Sequence, residues 1–151
     1  MSVVDRSKKF QMDTERTING TFGEVWIDSD YMAEVTALQA NVEMKTSDVN
    51  QCGTLVAGTK TTGLECKGNL KLNKCTSYFQ IKMSDNLKKG KATTFDIIAK
   101  VDDPAAYGAE RVKLIGCKFS KLTLIDFEAN KLMEESHEFT FSDWQFLDTI
   151  K

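Results

Sequence analysis

Two stretches of the chain alternate apolar and polar residues without a break. From Leu38 to Lys45 the residues Leu38, Ala40, Val42 and Met44 fall on one side, and Gln39, Asn41, Glu43 and Lys45 on the other. From Leu64 to Leu72 the set Leu64, Cys66, Gly68, Leu70 and Leu72 opposes Glu65, Lys67, Asn69 and Lys71. Alternation with period two places each set on its own face of a sheet. The pattern predicts a hairpin of strands about 8–9 residues long, spanning roughly 30 Å, with one apolar and one wet face. Between the strands lies Thr46–Thr62, polar and dotted with glycine. Hairpin loops usually take about 2–5 residues, so this segment reads as an extended loop with a task of its own.

Further strands are predicted at Phe22–Ile27, Thr93–Val101, Glu110–Phe119, Lys121–Glu128 and Glu138–Gln145. Asn19-Gly20 and Asp28-Ser29-Asp30 read as turns. The alternation changes phase at Ala37-Leu38, again at Leu124-Ile125, and between Phe139/Phe141 and Trp144/Phe146. A phase change means a β-bulge, or a strand that leaves one sheet for another. One helix is predicted over about residues 77–89. Thr76 or Ser77 caps it, Phe79, Met83 and Leu87 recur at i, i+4, i+8, and Gly90 suits a left-handed stop. The fold class is mainly β: an antiparallel sandwich or barrel with one flanking helix and a long hairpin. Residues Met1–Thr17 carry mixed charge without a period and read as an N-terminal arm of a single domain covering 1–151.

Composition narrows the function. The 151 residues are 41% hydrophobic and 28% charged, with 20 basic and 22 acidic side chains for a net charge of −2. Such a chain buries roughly 70% of its unfolded surface. The balanced charge disfavours a dedicated nucleic-acid binder or a polybasic membrane anchor. Met1–Phe10 lacks the apolar core of a signal peptide. Cys52, Cys66, Cys75 and Cys117 form no C-x-x-C pair, and with His137 alone make no zinc pattern, so free thiols are expected.

Candidate chemistry is thin. Gly53 to Thr61 imitates a phosphate loop, but such a loop needs a helix after it, and here a strand is predicted. A flexible loop tip is the better reading. His137, flanked by Glu134, Glu135 and Glu138, reads as part of a solvated acidic turn, since no nucleophile or partner is signalled. Glu134 and Glu135 with Asp126 and Glu128 read as a solvated acidic edge rather than a glycosidase pair. No catalytic, cofactor or metal residues are assigned. What remains unexplained is structural: long strands, a wet face and edges left open to another chain.

The chain resembles the tube proteins of contractile phage tails, in particular the XkdM-like group of phages and defective prophages. The resemblance is carried by Ile18-Asn19-Gly20, by Ala40-Asn41-Val42-Glu43 running into Lys45-Thr46-Ser47-Asp48-Val49-Asn50, and by Gly58-Thr59-Lys60-Thr61-Thr62-Gly63. It continues in Lys88-Lys89-Gly90, Glu110-Arg111-Val112 and Phe139-Thr140-Phe141, in order, over nearly the whole chain. The resemblance implies hexameric rings stacked into a hollow tube, with hairpins joined into a lumen barrel. It implies that Thr46–Thr62 and the arm reach the neighbouring ring. Ring stacking then falls to Ser47, Asp48, Val49, Asn50, Gly53, Gly58, Lys60 and Thr61, and the lumen to Glu43, Lys45, Glu65, Lys67, Asn69 and Lys71. Those six lumen positions sum to +1, whereas related tubes tend to be acidic inside. Asp126, Glu128, Glu135 and Glu138 restore the sign if a second hairpin also lines the channel. Implied partners are further copies of the chain, a sheath, a tape-measure protein and a baseplate, with DNA as transit cargo, in a virion or tail-like particle made in a bacterial cytoplasm. A DNA-free R-type bacteriocin tube is the alternative, and the Hcp tube of type VI secretion shares the fold. A lipocalin-like barrel would show evenly spaced meander strands, and these are missing.

Overall fold

The computed structural model describes residues 4–9 and 11–151. Met1–Val3 and Phe10, at the start of the expected arm, lie outside the described residues. The strands are β1 (Gly23–Ile27), β2 (Asp30–Tyr31), β3 (Val35–Val49), β4 (Gly58–Asn73), β5 (Phe95–Val101), β6 (Glu110–Phe119), β7 (Glu134–Thr140) and β8 (Asp143–Asp148), with the helix α1 (Tyr78–Lys88) between β4 and β5. Every pairing is antiparallel. One layer runs β2-β1-β5-β6-β8 and the other β3-β4-β7, joined because the end of β6 pairs with β7.

The chain changes layers twice at one corner, once within β6 and once between β7 and β8. Gly116, at φ +69°, turns β6 out of the first layer, and Lys118 and Phe119 then pair with Thr140 and Phe139. A Cβ on Gly116 would stand 2.4 Å from Ser142 Oγ, so only glycine fits beside that residue. Ser142 itself donates its backbone N–H and its hydroxyl to the Ile115 carbonyl, at 3.0 and 3.1 Å, as the chain passes from β7 to β8. This is the origin of the phase change between Phe141 and Trp144. The earlier phase change, at Ala37-Leu38, coincides with a register shift between Val35 and Ala37, a bulge in β3.

The core lies between the layers and under α1. Ile27, Leu70, Ile97 and Cys117 are fully buried, with Phe79, Phe95 and Phe139 nearly so. Burial pushes the Cys117 thiol pKa up to about 12. Phe79 and Met83 deliver the helix to this core one turn apart, and Phe79 meets Phe119 edge-on at 5.1 Å. Ser77 occupies the N-cap without a side-chain bond. Gly90, at φ +73°, ends the helix and lets the Lys91 N–H reach the Asn86 carbonyl at 2.8 Å. Leu87, expected on the apolar face, is exposed.

Other expectations need correction. Lys121–Glu128 forms no strand; it belongs to an irregular segment in which Leu124, Ile125 and Phe127 are exposed and Leu122 leans on the core. The last strand expected, Glu138–Gln145, is two strands, with β7 starting at Glu134. The Asn19-Gly20 turn is a single 3-10 turn whose Asn19 Oδ1 accepts the Thr21 N–H at 3.0 Å. Part of the arm is fastened: Arg16 donates to the Ala105 carbonyl at 3.1 Å and lies over the Tyr107 ring.

Candidate assembly surface

The hairpin is nearly twice as long as the alternation predicts. β3 and β4 hold 15 and 16 residues and stay paired from Val35–Leu72 to Val49–Gly58, about 50 Å at roughly 3.3 Å per residue. The Thr46–Thr62 loop shrinks to a tip of residues 50–57, because Thr46–Val49 pairs with Gly58–Thr61. These polar residues carry no apolar rhythm, yet threonine is at home on a pleated surface. A second register shift, between Lys45 and Thr46, marks the change from patterned to unpatterned strand.

The eight residues assigned to stacking are all exposed and gathered at the far end. Ser47 is opposite Lys60, Thr46 opposite Thr61, and Val49 opposite Gly58. Asn50 and Gly53 lie in the tip itself, Gly53 at φ +83°. The strand β4, not a helix, follows the tip directly, so the phosphate-loop imitation lacks the geometry it needs.

The six residues assigned to the lumen share one face of β3 and β4, nearer the base. Glu43 is opposite Glu65, and Lys67 closes on Glu65 at 2.7 Å. The Lys67 hydrogen bond, followed by its charge, lowers the Glu65 pKa, and the same contact raises that of Lys67. β7 extends this face. Thr140 is opposite Lys67, Glu138 opposite Asn69, and Ser136 opposite Lys71, with the Ser136 hydroxyl donating to Asn69 Oδ1 at 3.1 Å. Adding Glu134 and Glu138 gives four carboxylates (with Glu43 and Glu65) against three lysines (Lys45, Lys67 and Lys71), so the sign changes from +1 to −1. Of the four acids expected to do this, only Glu138 lies on this face of β7. Asp126 and Glu128 sit on the irregular segment, and Glu135 points to the opposite face. Glu134 was missed, although the parity of Glu138 and Thr140 implies it.

His137 and Glu135 are not in a solvated turn, as the sequence suggested, but inside the protein. Glu135 accepts from Lys74 Nζ and Gln80 Nε2, both at 2.7 Å, and its other oxygen is 3.0 Å from His137 Nε2. Gln80 also donates to the Thr123 carbonyl at 2.9 Å. Burial raises the Glu135 pKa, but the bonds from Lys74, Gln80 and His137 and the Lys74 charge outweigh it, so the carboxyl is held below its ordinary value. His137 is packed against Phe79 and Phe119 with ring centroids 4.5 and 5.4 Å away, and its Nδ1 has no hydrogen-bond partner among the described residues. The cluster pins α1, the end of β4, β7 and the irregular segment together. His137 is fully buried, while Glu135 borders a cleft at the base of β4 and β7.

Apolar surface remains exposed on the hairpin and around it. Beyond Val42 the apolar face continues as Met44 and Leu64, 68% and 55% exposed. At the tip Leu55 and Val56 stand in the open. At the base a cleft of about 460 Å³ lies between the irregular segment and the ends of β4 and β7.

Known proteins share this sequence and this architecture. Residues 10–148 match the family described as phage tail tube protein. The phage-like element PBSX protein XkdM of Bacillus subtilis is 36% identical over 136 residues, covering 88% of this chain and 92% of that one. The uncharacterized protein YqbM of the same organism is 35% identical over 143 residues, 93% and 97% of the two chains. At 10% identity, a chain of the PVC sheath–tube complex, an extracellular contractile injection system in its extended state, superposes with a TM-score of 0.68 over 90% of this chain and 95% of its own. Sandwich, two-faced hairpin and sequence agree, and the chain belongs to the phage tail tube protein family.

Proposed function

We propose that this chain is the structural subunit, not an enzyme, of the inner tube of a contractile tail or tail-like particle, closing as hexameric rings that stack into a hollow tube. One observation carries the reading: β3 is an edge strand of 15 residues with no second strand beside it among the described residues. Such an edge exposes a row of backbone N–H and C=O groups and invites another chain to pair there. Ring closure satisfies the edge as barrel closure does, with the face of Glu43, Lys45, Glu65, Lys67, Asn69 and Lys71 turned to the lumen. The residues from Ser47 to Thr61 then project toward the next ring, and the arm reaches it as well. A sheath, a tape-measure protein and a baseplate are the partners such a tube requires. The tube crosses the target envelope when the sheath contracts, and in a phage DNA passes through it as non-specific cargo.

Negative-stain microscopy of the purified chain over a range of concentrations tests this. Rings and tubes about six subunits around are expected; a chain that stays monomeric at the highest concentration overturns the reading. The nearly balanced lumen face keeps the DNA-free bacteriocin tube as a second reading. Particles purified without nucleic acid after nuclease treatment, yet able to kill, would favour it.

A further inference from the structure

Away from the hairpin, three side chains hold the parts of a covalent reaction. Lys74, the residue after β4, donates through Nζ to Gln80 Oε1 at 2.9 Å and to Glu135 Oε1 at 2.7 Å. The same Glu135 oxygen accepts from Gln80 Nε2 at 2.7 Å. An amine, a carboxamide and a carboxylate thus form one triangle. The amine is a nucleophile, the carboxamide carbon an electrophile, and a carboxylate touching both nitrogens is a proton carrier.

Each corner of the triangle is fixed from outside. Gln80 lies in the first turn of α1, and its Nε2 also donates to the Thr123 carbonyl at 2.9 Å. With two acceptors around Nε2, the amide turns Oε1, and with it the carbonyl carbon, to Lys74. The Lys74 N–H is anchored on the Met133 carbonyl at 2.9 Å. The other oxygen of Glu135 is held by His137 Nε2 at 3.0 Å. The Lys74 side chain is 17% exposed and that of Glu135 5%, so water has little access. Reactants held at contact distance by packed elements have already lost the freedom that a collision between separate molecules would have to remove.

We propose that Lys74 and Gln80 join in an intramolecular isopeptide bond, with Glu135 carrying the protons. Nζ first passes a proton along the 2.7 Å bond to Glu135, which leaves a neutral amine. The amine attacks the Gln80 side-chain carbonyl carbon; the new C–Nζ bond forms and the bond to Nε2 breaks. Nζ sheds two protons in all. Both reach Nε2 through Glu135, so the nitrogen departs as ammonium and the carboxylate is regenerated. The Glu135 carboxyl is held below its ordinary value against its burial, so the ion pair is the resting state and the neutral pair is scarce. The bond therefore forms slowly after folding. It closes the segment from Lys74 to Gln80 into a loop and ties the start of α1 to the end of β4. It needs no second copy, so it stands apart from the tube reading.

Mass spectrometry of the folded subunit, aged for several days at neutral pH, tests this. The chain should weigh about 17 Da less than its unmodified sequence, the mass of one ammonia. Trypsin should no longer cut after Lys74, so residues 72–82 stay in one fragment that carries the whole deficit. Lys74→Arg keeps a cation beside Glu135 without the amine nucleophile, and should fold and keep its full mass. Glu135→Gln should slow the loss roughly a hundredfold or more. A full mass in the aged wild type, a deficit that maps outside residues 72–82, a deficit that persists in Lys74→Arg, or an unchanged rate in Glu135→Gln overturns the proposal.

Discussion

Leu70 and Leu64 occupy the same face of the same strand, yet Leu70 is fully buried and Leu64 is more than half exposed. The near half of the hairpin lies on β7, α1 and the opposing layer; the far half runs past them. Alternation sets which side a residue faces, but the neighbouring elements decide whether that side is covered. The near half is a core built by one chain, and the far half is an apolar face that this chain leaves uncovered. The glycines repeat the lesson. A Cβ on Gly68 would stand 2.3 Å from the Phe139 ring and 2.6 Å from the Gln39 carbonyl, while one on Gly63 would meet nothing within 4 Å.

The widest separation between the halves is expected from truncating the two leucines. Leu70→Ala should destabilise the subunit by about 2–5 kcal/mol, the usual cost of a buried cavity. Leu64→Ala should change it by no more than about 0.5 kcal/mol. Urea denaturation at low protein concentration measures both, and equal losses would erase the distinction.

Ion pairs should divide in the same way. Glu135→Gln leaves Lys74 partly buried beside a neutral group and should cost about 3 kcal/mol. Glu65→Gln, on the open wet face, should leave the denaturation midpoint where it was. Because the folded Glu135 pKa is depressed, its stabilisation is fully present above the unfolded value of about 4.3 and is lost as pH falls through the lower folded value. A urea midpoint followed from pH 6 to pH 3 should fall more steeply in the wild type than in Glu135→Gln; parallel curves would discard this assignment.

Gly68→Ala should cost about 1–3 kcal/mol through overpacking against Phe139 and the β3 backbone. Gly63→Ala should be silent in the free subunit, and thermal melts of the pair would expose any error. The mildest contrast concerns reactivity. With the Cys117 thiol pKa pushed up to about 12 inside the core, a thiol reagent at pH 8 should modify Cys52 and Cys75 promptly and reach Cys117 only after unfolding. Prompt labelling of Cys117 in the native subunit would show that the core opens.

Much of the near half was readable from sequence because burial imposes a rhythm. The alternations at Leu38–Lys45 and Leu64–Leu72, the Phe79/Met83 pair, the Gly90 stop and the layer change after Phe141 all leave such marks. The far half was under-read because Thr46–Val49 and Gly58–Thr61 pair through backbone bonds alone, which select no particular side chain. His137 and Glu135 were misplaced for the opposite reason. The partly buried partners of Glu135, Lys74 and Gln80, lie 61 and 55 residues from it, beyond any local pattern. Lys121–Glu128 imitated a strand because its apolar residues alternate on either side of Leu124-Ile125, Leu122 with Leu124 and Ile125 with Phe127, although no described strand pairs with them. On the tube reading proposed above, the surface that assembly would use is therefore the least legible, because its partners would lie in another molecule.

Gly116 has one more consequence, and it is mechanical. The same strand, β6, serves both layers, so they are joined by continuous backbone and not by packing alone. An axial thrust delivered along β4 would pass sideways through β7 into the end of β6, and from there around the Gly116 corner into the far layer. Sliding one layer over the other would require bending a covalent strand, and the corner serves as the cross-brace of the load path.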